Sequence, residues 1–143
     1  MARRSRTKKL RLRGAEGYEA SSHLADRYGG EARIIEAMVD RDPSLGEPLV
    51  SSLPYLRAEA VYAVRYEMAR SLDDVLARRT RARLLARDAS AAAADSVADL
   101  IAADLGWTAD ERAAQVDAYR ASVERERHAA QLPETALDAT IGA

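Results

Sequence analysis

The chain has 143 residues, a net charge of −1, no cysteine, no phenylalanine and one tryptophan. That length suits one ordinary domain, burying roughly 68–70% of the surface its unfolded chain exposes, and the lack of cysteine excludes disulfides, thiolate catalysis and thiol-ligated zinc or iron–sulfur clusters. The near-neutral sum hides a basic arm, because Arg3, Arg4, Arg6, Lys8, Lys9, Arg11 and Arg13 precede any acid, so the body behind them is acidic. A whole-domain nucleic-acid binder has the opposite footprint.

No stretch reaches the roughly 18 apolar residues of a membrane-spanning helix, and no apolar core follows Arg3-Arg4 to make a secretory or twin-arginine signal. A soluble chain is expected. Strand-like alternation is confined to "LRLRG" at 10–14, and the rest predicts an all-α, compact single domain of six or seven helices. The expected layout is a basic arm or linker over 1–17, a helical domain over 18–132 and a flexible tail over 133–143.

The first helix is predicted over 19–28, with Leu24 and Tyr28 on one face and Gly29-Gly30 as its stop. A second follows at about 31–40, with Ile34, Ile35, Met38 and Val39 in one stripe. Asp42 before Pro43 reads as an N-cap and first-turn pair, opening a helix that Gly46 and Pro48 keep short. After Pro54 a stronger helix is predicted over about 55–69, its stripe running through Leu56, Ala60, Val61, Val64 and Met68.

Ser71, three residues before Asp74, reads as the cap of another helix carrying Leu72, Val75 and Leu76 inward and continuing through "VLARRTRARLLAR". Residues 88–105 predict an alanine-rich helix with Val97, Leu100, Ile101 and Leu105 inward, closed by Gly106. Thr108 and Glu111 form a T-x-x-E capping box for a last helix over 109–131, with Ala113, Val116, Tyr119 and Val123 in its stripe.

Chemistry-bearing patterns are few. The glycines form neither G-x-G-x-x-G nor a P-loop, and no serine sits in a G-x-S-x-G elbow. His23 and His128 have only Asp26 and Glu124 at helical spacing, so no metal site is expected. Asp73 and Asp74 are adjacent, which on a helix sets them about 100° apart, too divergent to share a proton-transfer site. Asp74 and Arg78 make an i, i+4 pair in the favoured order. Arg78, Arg79, Arg81, Arg83 and Arg87 scatter around the helix, with Arg79 and Arg83 on one face and Arg78 and Arg81 on another. Surface or interdomain salt bridging is the favoured reading. The alternative is a small helical module that binds nucleic acid or an anionic surface through residues 1–13 and 78–87.

Three segments taken together carry a resemblance: "HLADRYGGEA" at 23–32, "LPYLRAEAVYAVRYEMARSLDDVLARRTR" at 53–81 and "ADLGWTADERAAQVDAYRASVERER" at 103–127. In this order the sequence resembles, over about residues 10–130, the C-terminal helical domain of FAD-dependent glycerol-3-phosphate dehydrogenase of the bacterial, actinobacterial type. The resemblance implies a parent enzyme that oxidises sn-glycerol 3-phosphate to dihydroxyacetone phosphate and passes electrons through FAD to a quinone. It also implies that the flavin-binding and substrate domains lie N-terminal to this one, so that no catalytic, flavin-binding or metal residue is expected here and FAD belongs to the parent.

Arg65, Glu67, Ser71, Asp73, Asp74, Arg78 and Arg79 are the structural and docking signature that the resemblance marks. Its implied partners are the parent enzyme's flavin and substrate domains and a homodimer mate, without nucleic acid. Its implied place is cytoplasmic, touching the inner face of the cell membrane only peripherally through the parent. Because a flavin domain would precede it, the chain reads as an isolated or truncated domain, inactive alone.

Overall fold

The computed structural model describes residues 7–10, 14 and 22–129. The tail expected over 133–143, and all of the 1–17 arm except 7–10 and 14, lie outside the described residues. The described chain is all-α, with seven α-helical segments, three 3-10 turns, one π-helix and an isolated bridge between Pro48 and Leu56. It divides into two units, residues 1–46 and 47–143.

In the first unit, α1 (His23–Tyr28) starts where Ser22 Oγ accepts the Ala25 N–H at 3.1 Å and ends at Gly29, as the glycine pair predicts. Gly14 is needed beside it: its φ is +78°, and a Cβ there would stand 2.9 Å from the Tyr28 carbonyl oxygen. Helix α2 (Ala32–Arg41) buries Ala32 and Ile35, whereas Ile34, Met38 and Val39 of the expected stripe are only partly covered. Asp42 Oδ1 then accepts from the Ser44 N–H and hydroxyl at 3.0 and 2.7 Å, holding the short turn Pro43–Gly46.

The second unit is built on α3 (Arg57–Tyr66), whose start is fixed by Glu59: fully buried, it accepts the Leu56 N–H through Oε1 at 2.8 Å. The predicted continuation to residue 69 fails. Met68 adopts a left-handed φ of 59° and is 77% exposed, so it leaves the apolar stripe. A local bond and a more distant one replace the next helical turn: Ala69, fully buried, donates its N–H to the Ala63 carbonyl at 3.0 Å, while Arg79 takes the Glu67 carbonyl.

The predicted helix from Ser71 through Arg87 is also broken. After one α-turn the backbone widens into a π-helix (Asp74–Arg79), Arg81 turns left-handed at φ 57°, and short helices α4 (Ala82–Leu85) and α5 (Arg87–Ala92) follow. The wide turn lets Leu72, Val75 and Leu76 all reach the core, and it buries Thr80, whose N–H and hydroxyl both donate to the Val75 carbonyl at 3.0 and 2.8 Å. π-turns of this kind are rare and commonly mark functional segments.

Helix α6 (Ala94–Leu105) follows a turn at Ala93 and buries Val97 and Ile101, with Leu100 and Leu105 packed at the rim. Gly106 closes it in the left-handed conformation. Helix α7 (Ala109–Ala129) begins with the expected reciprocal box, the Thr108 N–H to Glu111 Oε2 at 2.8 Å and the Glu111 N–H to Thr108 Oγ1 at 3.2 Å. Val116, Tyr119 and Val123 are buried, but Ala113 is exposed. The inward face passes through Arg112 instead, which reaches Asp99 at 3.1 Å, and this rotates Ala113 outward by about 100°. Helix α3 packs on α6 and α6 on α7, and together they enclose the core of this unit.

Candidate functional site

The predicted signature residues gather on and around the π-helix. Ser71 Oγ accepts the Asp74 N–H at 3.1 Å, as a cap should, while Asp74 Oδ2 accepts the Arg70 N–H at 3.0 Å. Burial pushes the Asp74 carboxyl upward, but the bonds from Arg70 and Ser71 and the charge of Arg78 outweigh it and hold its pKa below the ordinary value.

Arg78 makes the expected contact with Asp74, Nη1 to Oδ1 at 2.9 Å, and the same nitrogen lies 2.6 Å from Asp73 Oδ2. The two carboxylates therefore share one guanidinium, although divergence was expected. The other Asp73 oxygen accepts from Arg83 Nη1 at 2.6 Å. Arg83 reaches α7 as well, donating from Nη1 to Ser122 Oγ at 3.0 Å and lying 2.8 Å from Glu126 Oε2 through Nε.

Arg79 does not share a face with Arg83. It turns back to the end of α3, donating to the Glu67 carbonyl from Nη2 and Nε at 2.7 and 3.2 Å, with the Glu67 carboxylate 3.6 Å away. Arg65, on α3, pairs with Asp104 on α6 at 2.9 Å. Arg87 lies 3.5 Å from Asp88, so among the five arginines on which the alternative nucleic-acid or anionic-surface reading relies, Arg78, Arg79, Arg83 and Arg87 all face carboxylates. The left-handed turn at Arg81 separates the two faces on which the arginines were expected to pair.

A cavity of about 420 Å³ opens beside this cluster, lined by Ser71, Asp73, Arg83, Tyr119 and Ser122 among others. Tyr119 and Ser90 share a buried hydroxyl pair at 2.9 Å. Burial pushes the Tyr119 hydroxyl above the usual tyrosine range, against the pull of Ser90 and Arg83. These groups neutralise and orient one another; they hold a shape and offer polar contacts, with no nucleophile set against a base. Among the described residues no cluster of three or more His, Asp or Glu is arranged to hold a metal ion, and no helix is long and apolar enough to cross a membrane.

Arg83, Ser122, Glu126 and the Ser90–Tyr119 pair were not in the predicted signature. Ser122 and Glu126 lie 39 and 43 positions beyond Arg83, outside any local spacing rule, so only the fold brings them together.

Residues 5–112, which include the whole π-helix and its arginines, match the family described as the C-terminal domain of alpha-glycerophosphate oxidase. The chain belongs to that family. It is 37% identical over 138 residues to the glycerol-3-phosphate dehydrogenase of Mycobacterium leprae, an alignment covering 84% of this chain and 24% of that protein. It is 34% identical to the Synechocystis glycerol-3-phosphate dehydrogenase over 72% of the chain and 19% of the relative. With the mitochondrial glycerol-3-phosphate dehydrogenase of Arabidopsis thaliana it shares 35% identity over 66% of the chain and 15% of the relative. The chain thus spans about a quarter or less of the curated relatives it matches. No solved structure matches it.

Proposed function

We propose that this chain acts as the helical C-terminal domain of an FAD-dependent glycerol-3-phosphate dehydrogenase, whose whole reaction oxidises sn-glycerol 3-phosphate to dihydroxyacetone phosphate and delivers the electrons to quinone. The observation that carries the reading is the family match over residues 5–112, which include the π-helix and its arginines. FAD and substrate belong to the flavin-binding and substrate domains, on which this domain docks. Residues 18–132 form the domain, and Arg65, Glu67, Ser71, Asp73, Asp74, Arg78 and Arg79 shape the docking face. The same reading includes a homodimer contact and a cytoplasmic enzyme peripheral at the inner face of the membrane.

Asp73 and Arg83 at the cavity support a structural part in this enzyme, since Asp73 is paired with Arg78 and Arg83, and Arg83 also with Glu126. The purified chain is expected to show no flavin absorbance and no glycerol-3-phosphate:dye reductase activity, and to associate with the flavin and substrate domains supplied in trans. Full activity from the chain alone would overturn the proposal.

A further inference from the structure

Helix α4 is turned inside out. It buries Ala82 and directs Arg83 inward, where the side chain is only 22% exposed, yet Leu84 is 71% exposed and Leu85 60%. An ordinary surface helix does the reverse, covering its leucines and displaying its arginine.

The orientation is imposed from both ends. Arg81, left-handed and exposed, sets the start of the helix, and its carbonyl accepts the N–H groups of both Leu84 and Leu85 at 3.1 Å. Arg83 is then held by Asp73, Ser122 and Glu126, which prevents the helix from rolling its leucines under. Polar anchoring thus keeps two adjacent leucines in solvent, beside an arginine whose guanidinium has no partner among the described residues.

We propose that Leu84 and Leu85, with Arg81 at the base of the same turn, supply the apolar part of the docking face, beyond the polar residues already named, by which this domain seats on the flavin and substrate part of the larger polypeptide. The inference rests on the reading of the chain as that enzyme's C-terminal domain. The receiving surface is an apolar depression with a carboxylate at its edge, which Arg81 meets. A second copy of the chain fits less well: a stable free dimer needs roughly 1,200–2,000 Å² of buried surface, beyond what one four-residue helix supplies. A part carried on the same polypeptide is presented at high effective concentration, so a small apolar contact suffices. The relatives carry more than three quarters of their length outside the matched region.

Carbene footprinting tests it, applied to the chain alone at low and high concentration and to the chain mixed with the flavin and substrate part. Labelling at Leu84 and Leu85 is expected to be strong in the chain at both concentrations and to fall severalfold in the mixture. The double variant Leu84→Asp/Leu85→Asp should keep its circular dichroism and melting temperature, since both residues are exposed, and should bind that part about tenfold or more weakly. Protection elsewhere with none at 84–85, unchanged binding by the variant, or protection in the concentrated chain alone overturns the inference while leaving the domain assignment standing. No protection anywhere in the mixture, with the flavin and substrate part raised to the roughly millimolar level that a short tether supplies, overturns the assignment, and the inference with it.

Discussion

Arg83 Nη1 lies 2.6 Å from Asp73 Oδ1, joining the π-helix to α4 across the left-handed turn at Arg81, and its Nε reaches Glu126 on α7. One side chain therefore ties three segments together. Replacing it with alanine leaves Asp73 with Arg78 alone and Glu126 without this partner. Because the side chain is mostly covered, Arg83→Ala is expected to lower stability by about 2 kcal/mol. Arg83→Lys should recover less than half of the loss, since a single ammonium cannot serve Asp73, Ser122 and Glu126 in the fixed geometry of a guanidinium. Urea denaturation of the two variants, compared at unchanged m-value, measures both.

Acid should weaken the fold partly through Asp74. Burial raises its pKa, the Arg70 and Ser71 bonds and Arg78 lower it more, and the net value lies below the ordinary 3.8. A carboxylate depressed in the folded state contributes stability that is fully present above the unfolded value and is lost as pH falls through the folded one. Asp88 and Glu111 are depressed as well, by Arg127 and by Thr108. The melting temperature should hold steady down to about pH 5 and then decline as the unfolded-state carboxylates begin to take up protons. Asp74→Asn should flatten part of that decline; an identical acid profile in the variant would contradict the assignment.

Gly106 closes α6 at φ +68°, and a Cβ there would meet nothing within 4 Å. The cost of Gly106→Ala is therefore backbone strain without steric conflict, about 1 kcal/mol. Thermal melts should show this loss with near-unchanged helical content.

At the other side of the same junction, Thr108 Oγ1 accepts the Glu111 N–H at 3.2 Å. Thr108→Ala should cost about 1 kcal/mol by leaving that amide without its cap. Hydrogen exchange should locate the change in the first turn of α7, with the amides of α3 unaffected; an evenly spread effect would mean that the box is not the cause.

Local chemistry announced the elements that local chemistry builds. Gly29, Asp42, Gly106 and the Thr108–Glu111 box each mark the boundary that the sequence pattern assigns to them, whereas Ser22, which the pattern passes over, is extended and starts α1 at residue 23 instead of 19. The failures cluster between residues 66 and 87, where distant groups decide the backbone. Met68 and Arg81 are left-handed without being glycine, and nothing in their neighbours advertises it. The π-turn is favoured because it lets Leu72, Val75, Leu76 and Thr80 all be buried at once, a condition set by the facing helices. In the cluster, the Asp74–Arg78 pair followed from spacing, whereas the role of Arg83 required knowing that α7 passes beside it.

The Arg79 grip on the Glu67 carbonyl bears on heredity. Helix α3 ends without a glycine, and the group its ending exposes is satisfied by a side chain twelve positions downstream. Were α3 to run on through residue 70, that carbonyl would be taken up inside the helix and the guanidinium would lose its acceptor. Were Arg79 replaced, the carbonyl would need another donor, or the break would have to move. Across related proteins the two features should consequently be gained and lost as a pair, so a relative lacking an arginine at this position should end the helix differently.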